Sequence, residues 1–134
     1  MKNAETGIIE WVLRLGIAGT FIGHGCLAIN ANPAWIPLIT TVGFSANMAI
    51  NLLPVIGILD IIIALLVLVK PYKPVLYWVV FWTFITALSR VFAGQGILEF
   101  IERFSNIACP LALLLYISYK EKKQDTDSVK RKLN

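Results

Sequence analysis

Residues 47–69 read NMAINLLPVIGILDIIIALLVLV, an almost unbroken apolar stretch that carries a single charge, Asp60. A helix rises 1.5 Å per residue, so a stretch of this length crosses the roughly 30 Å hydrocarbon core of a bilayer. The chain has only 134 residues, which is too few to cover so much apolar surface with other protein. The stretch therefore predicts a transmembrane helix.

Three further apolar stretches have a similar length, at residues 8–29, 75–93 and 103–119. The whole chain is 57% hydrophobic and 15% charged, whereas soluble domains average about 45–50% apolar and about 25% charged residues. The sequence thus predicts an all-α fold, an integral membrane four-helix bundle over residues 1–119. Residues 120–134 form a separate basic tail.

The distribution of Lys and Arg predicts the orientation of these helices. The connections at residues 30–46 and 94–102 contain no Lys or Arg, whereas the short turn between helices two and three carries Lys70 and Lys73. Cytoplasmic loops are the ones enriched in Lys and Arg. We therefore expect an up-down-up-down bundle with both termini cytoplasmic. Half of the twelve basic residues lie in the tail: Lys120, Lys122, Lys123, Lys130, Arg131 and Lys132.

Several function classes find no support in the sequence. No aromatic-rich basic patch suggests nucleic acid as a partner, and Cys26 and Cys109 form no metal-binding or redox motif. His24 is the only histidine, so haem with two histidine ligands and di-metal carboxylate chemistry are disfavoured. It lies two residues from Cys26, on a different side of the helix, so an activated thiol is also disfavoured. We expect no metal site and no covalent cofactor.

Ionisable side chains inside a span are costly and often mark function. When depth is counted from the midpoint of each predicted span, Arg14 and Asp60 fall at a similar level in the cytoplasmic half. The sequence therefore predicts a buried ion pair between them, with Glu10 nearby. Two other interpretations remain open: the pair only sets helix register, or Glu10 and Arg14 form an ordinary i,i+4 pair with Arg14 reaching the surface.

A second polar cluster is predicted in the outer half, because His24, Arg90 and Asn106 lie at similar depth on the polar faces of their helices. Glu99 and Glu102 lie just above, and they are the acidic residues available to pair with Arg90 on that side. Such a cluster is either a structural closure of the bundle or a ligand-binding site, and the sequence leaves both open.

Four segments of the chain carry a family resemblance: RLGIAGTFIGHG at 14–25, LPVIGILD at 53–60, TALSR at 86–90 and ERFSN at 102–106. With them the chain resembles the DoxX-like superfamily of small four-helix bacterial membrane proteins, which implies a location in the bacterial inner membrane. Many members have a Lys shortly after the His-Gly pair, where this chain has Ala28, so a role of that Lys does not carry over. Because the family includes a subunit of a thiosulfate:quinone oxidoreductase, the resemblance implies a role linked to quinone.

Three hypotheses follow for the function. In the first, His24 and Arg90 bind a quinone carbonyl or an anion beside aromatic walls, and a partner subunit supplies the electrons. In the second, the protein is a non-enzymatic accessory subunit of a larger membrane complex. In the third, it is a small transporter or proton-conducting oligomer with a relay through Asp60, Arg14 and His24. The expected partners are lipid and other membrane subunits or further copies of the chain. The aromatic walls of the first hypothesis are Phe21, Phe81 and Trp82.

Overall fold

The computed structural model describes the backbone of residues 2–133 and the side chains of residues 7–132, and this part of the chain contains helices and no strand. Short helical pieces occupy the two longer connections: a 3₁₀ turn at Pro33–Trp35 followed by α2 at Ile36–Thr40, and α5 at Ile97–Ile101. Four long helices carry windows that are long and apolar enough to cross a membrane. These are α1 (Lys2–Ile29), α3 (Ala46–Val69), α4 (Lys73–Phe92) and α6 (Phe104–Leu133).

The helices agree with the predicted spans to within a few residues, except that the N-terminus of α1 and the C-terminus of α6 extend further. Helix α6 continues through the basic tail to Leu133. Residues 120–133 contain no Gly or Pro, and eight of these fourteen residues are Lys, Arg, Glu or Gln, which favour helix. Met1 and Asn134, the outer limits of the two predicted segments, lie outside the described residues.

Specific residues end the helices. The Ser45 hydroxyl accepts a hydrogen bond from the Met48 N–H at 3.3 Å and so caps the start of α3. Lys70 is extended, as the residue before a proline prefers, and α3 ends there. The connection after α4 includes Gly96 at φ 90°, a conformation that glycine adopts without strain.

The outward faces of the long helices are apolar. Val12, Val55, Phe81 and Leu115 are each more than half exposed, and many other large apolar side chains are exposed beside them. Soluble monomers rarely expose apolar patches of more than a few hundred Å², whereas lipid solvates them readily. The structure is therefore that of a small multi-pass membrane protein.

Helices α1 and α3 pack antiparallel and make the closest contact in the bundle. A Cβ added to Gly57 would lie 2.6 Å from the Gly25 carbonyl oxygen, so only glycine permits this approach of the two backbones. Nearer the C-terminal end of α3, the Leu68 carbonyl oxygen accepts a hydrogen bond from Arg14 Nη1 of α1 at 3.3 Å. These two contacts fix the register, and they place Asp60 near the level of Ile22 in α1.

Helices α4 and α6 complete the four-helix bundle. Helix α6 contacts α1, where Cys109 Sγ lies 3.6 Å from the Leu13 carbonyl oxygen, and α4, where Glu121 pairs with Lys73. Helices α3 and α4 contact each other less closely, and α2 lies against both. We call the end of the bundle that carries residues 30–45 and 93–103 the α2 end, and the end that carries residues 70–72 and the tail the tail end.

The apolar core fills the half of the bundle nearer the tail end. It contains residues from all four long helices, and Phe21 is its member nearest the α2 end. Beyond Phe21 the packing gives way to a cavity. The core residues are Ile17, Ala18, Phe21, Ala64, Val67, Leu76, Val79, Leu113 and Leu114.

Candidate functional site

A cavity of about 350 Å³ lies between the long helices at the α2 end. Its walls are mainly apolar, and residues of the first connection, from Trp35 to Phe44, cover one side. Helices α3 and α4 contact each other less closely than α1 and α3 do, and both contribute residues to the cavity wall. Its polar lining residues are His24, Asp60, Thr83, Thr86, Ser89, Arg90, Arg103 and Asn106.

Three residues of the predicted outer cluster line this one cavity: His24 from α1, Arg90 from α4 and Asn106 from α6. The His24 ring meets Trp35 edge to face, with the ring centres 5.5 Å apart. Depth and helical face were sufficient to bring these three residues together. Whether they bind a ligand remains a prediction.

The two glutamates of that cluster do not pair with Arg90. Glu99 and Glu102 instead form ion pairs with Arg103, at 3.3 and 3.6 Å. Arg103 follows Glu99 by four residues, the spacing at which side chains on neighbouring helical turns meet, so it is the nearer cation. Arg90 Nη1 donates to the neutral Gln95 side chain at 2.9 Å. The predicted Arg90–glutamate contact is therefore wrong, and neither glutamate lines the cavity.

Asp60 also lines the cavity, and it does not pair with Arg14. Its side chain is 5% exposed and makes a hydrogen bond with the Trp82 indole. The register fixed by Gly25 and Gly57 places Asp60 about eight residues, or about 12 Å, away from the level of Arg14 along the helix axis. Counting depth from span midpoints overlooked that register, so the predicted Arg14–Asp60 pair is wrong.

Arg14 is held at the tail end by other groups. Its Nη2 atom lies 2.9 Å from a Glu10 carboxylate oxygen, the i,i+4 arrangement that the sequence left open, and Lys120 lies 3.2 Å from the same carboxylate group. Arg14 Nε is buried and has no hydrogen-bond partner among the described side chains. Two cations thus share one glutamate at this end, remote from the cavity.

The α4 wall of the cavity presents three hydroxyl groups in a row. Thr83 donates to the Val79 carbonyl at 2.8 Å, and Thr86 donates to the Trp82 carbonyl at 2.9 Å. Ser89 donates to the carbonyl of Thr86 at 2.9 Å. A hydroxyl has one proton to donate, and here the helix backbone accepts it. The row therefore offers hydrogen-bond acceptors to the cavity.

The aromatic walls differ in part from those predicted. Phe21 and Trp82 line the cavity, whereas Phe81 is 54% exposed and packs on Trp78 at the outside of the bundle. Trp35 replaces it, because the first connection folds back over the bundle. No periodic pattern in the sequence of that connection predicted this fold.

Metal and thiol chemistry receive little support from the geometry. No group of three or more His, Cys, Asp or Glu side chains lies close enough to hold a metal among the residues that the structure describes. Cys26 and Cys109 are both free, and Cys26 is exposed. What the site offers is an apolar slot with hydrogen-bonding groups at its ends.

Comparisons with known proteins do not assign this site. No protein-family model, curated protein or solved structure matched the chain.

Proposed function

We propose that this protein is a DoxX-like subunit of the bacterial inner membrane that binds a quinone ring in the cavity at the α2 end. In this proposal the bundle runs up-down-up-down, both termini are cytoplasmic and the α2 end faces outward. The Lys and Arg asymmetry supports the orientation. The sequence segments that resemble the family support the redox association.

The observation that carries the proposal is the cavity itself. Ligand pockets measure about 300–1,000 Å³ and combine apolar walls with a few polar groups that orient the ligand; a volume of about 350 Å³ fits one ring system. His24 and Arg90 line the cavity and are suited to donate hydrogen bonds to a quinone carbonyl oxygen. The aromatic side chains of Phe21, Trp35 and Trp82 provide flat apolar surfaces for the ring.

A quinone bound here is the electron carrier, and a partner subunit delivers or removes its electrons. The role of this chain is then to bind the ring, to orient its carbonyl groups and to keep it within the outer half of the membrane.

Tryptophan fluorescence tests the proposal directly, because two of the four tryptophans line the cavity. A short-chain quinone added to the protein in nanodiscs should quench the emission in a saturable way. Trp35→Phe and Trp82→Phe should each remove a large part of that quenching. Trp11→Phe is the matched control, since Trp11 packs near Arg14 at the tail end.

Quenching that never saturates, or that falls equally in the Trp11→Phe control, would contradict quinone binding in the cavity. Quenching that saturates through Trp35 and Trp82 alone would support it.

A further inference from the structure

We infer that the cavity selects a ligand with two different ends: an acidic group held at Arg90 and a hydroxyl group that donates to Asp60. The inference rests on the proposal that this cavity binds a ring, and it goes beyond quinone binding by naming a second class of ring compound that the cavity accepts, an aromatic hydroxy acid. It follows from two ionisable groups on the cavity wall, Asp60 and Arg90, which lie at opposite ends, whereas Arg103 on the same wall is already paired with glutamates.

Arg90 provides the anion-binding end. Within the described residues no carboxylate lies within ion-pair distance of it, and its recorded partner is the neutral amide of Gln95. The glutamates nearby are already paired with Arg103. A guanidinium group in a membrane is costly without an anion, and it binds a carboxylate or phosphate through two parallel hydrogen bonds. Glu99 and Glu102 act on Arg90 only from beyond ion-pair distance, so a ligand anion would supply the direct ion-pair partner that Arg90 lacks within the described residues.

Asp60 provides the other end. It is buried to 5% exposure, and no Lys, Arg or His among the described side chains lies within ion-pair distance of it. The Trp82 indole contributes one donor to a carboxyl group that can accept several. Thr83 and Thr86 beside it present acceptors, because their protons bind to the α4 backbone. This end of the cavity offers more acceptors than donors, and a ligand hydroxyl group supplies a further donor.

The spacing between the two ends sets the size of the ligand. Trp82 marks the level of Asp60 on α4, and Arg90 follows it by eight residues, about 12 Å along the axis. Part of this distance is covered by the long arginine side chain. A single ring does not reach both groups, whereas two fused rings with one substituent at each end do so between the apolar walls.

Three naphthalene probes separate the contributions of the two ends. The probe 6-hydroxy-2-naphthoate carries both substituents, 2-naphthoate lacks the hydroxyl and 2-naphthol lacks the carboxylate. Calorimetric titration into the full-length protein, in phosphatidylcholine nanodiscs, should show the first binding about tenfold or more tightly than either of the others.

Variants assign each preference to its residue. Asp60→Leu should abolish the preference over 2-naphthoate and keep the preference over 2-naphthol; Asp60→Asn is the second variant if Asp60→Leu does not assemble. Arg90→Gln should abolish the preference over 2-naphthol and keep the preference over 2-naphthoate. Lys70→Gln, which removes one positive charge at the tail end, should change neither ratio. Each ratio compares the affinities of two probes for the same variant, so a smaller fraction of folded protein does not change it.

Equal affinities for the three probes would overturn the inference and leave quinone binding, measured by tryptophan quenching, as a separate result. A repeat with anionic phosphatidylglycerol in the nanodiscs distinguishes a free ligand from a lipid headgroup. If that lipid competes with the carboxylate probes and the Asp60 variants have no effect, Arg90 holds a lipid phosphate and the two-ended ligand is wrong. Retained dependence on Asp60 in both lipid compositions would support it.

Discussion

The two ends of the bundle treat charged side chains in different ways. At the tail end Glu10 lies between Arg14 and Lys120, and Lys73 pairs with Glu121, next to a filled apolar core. At the α2 end Arg90 and Asp60 line an open cavity, and no opposite charge within the described part of the chain lies within ion-pair distance of either. Removing the partner of a buried charge is strongly destabilising. The charged side chains of the tail half thus stabilise the fold through ion pairs, whereas Arg90 and Asp60 in the α2 half remain available to bind a ligand.

The largest expected effect comes from removing the boundary between the two halves. Phe21 is 3% exposed and belongs both to the core and to the cavity wall. Phe21→Ala should lower the free energy of unfolding by about 3 kcal/mol, the lower part of the range for such truncations. We choose the lower part because lipid also solvates apolar side chains in separated helices.

Denaturation in mixed micelles, followed by circular dichroism, measures this change. Phe81→Ala is the control, since Phe81 is 54% exposed and lies outside the cavity. An equal loss in both variants would show that Phe21 does not separate a core from a cavity.

The next effect concerns the register that places Asp60 at the cavity. Gly57→Ala would put a methyl group 2.6 Å from the Gly25 carbonyl oxygen, so the α1 and α3 backbones must separate. We expect a loss of about 2 kcal/mol, within the range for overpacked cores, in the same unfolding assay. Gly23→Ala, on the same end of α1 but with nothing within 4 Å of its added methyl, should not be destabilising.

A smaller effect compares the charges at the two ends. Glu10→Gln leaves Arg14 and Lys120 without their shared carboxylate and should cost about 1–2 kcal/mol, discounted because the Glu10 side chain is 16% exposed. Arg90→Gln should be neutral or slightly stabilising in the absence of ligand. The free energy of unfolding of both variants, measured in the same assay, tests this difference. If Arg90→Gln were as destabilising as Glu10→Gln, the two ends of the bundle would not differ in how they stabilise charged side chains.

Single cysteine substitutions, which should perturb the protein least, determine which end of the bundle faces the outside of the cell. In a background of Cys26→Ser and Cys109→Ser, a cysteine at Thr40 should react with an impermeant maleimide in intact cells. A cysteine at Asp125 should react only after lysis, because the basic tail is expected inside. Asp125 is exposed, and Thr40 is the half-buried last residue of the short helix α2, so both substitutions should change stability little. The reverse labelling pattern would invert the proposed orientation.

The sequence predicted the helices well because each span is a long apolar run, and such runs have one stable structure in lipid. The joint position of His24, Arg90 and Asn106 was predictable for a similar reason. Their depth follows from span boundaries, and their face follows from the 3.6-residue period.

The rest of the site depended on contacts that a single sequence does not reveal. Gly25 and Gly57 fix a register that places Asp60 at the cavity. The presence of a glycine in each of two helices does not show that the helices pack together at those residues. Arg103 takes both glutamates because it is the nearer cation, a competition decided by local side-chain geometry. The fold of the first connection, which brings Trp35 over His24, follows no periodic pattern.

The continuity of α6 has a mechanical consequence. One unbroken helix carries the Asn106 wall of the cavity and the basic tail, and it touches α1 between them at Cys109. Pro110, the residue after Cys109, lies inside α6 and removes one hydrogen bond of the helix backbone, so the helix can bend there. Beyond this point Lys120 and Glu121 hold α6 to α1 and α4 through ion pairs with Glu10 and Lys73. A change in how the cavity is filled would therefore be taken up in the short segment of α6 before Pro110, while the tail half of the helix keeps its place.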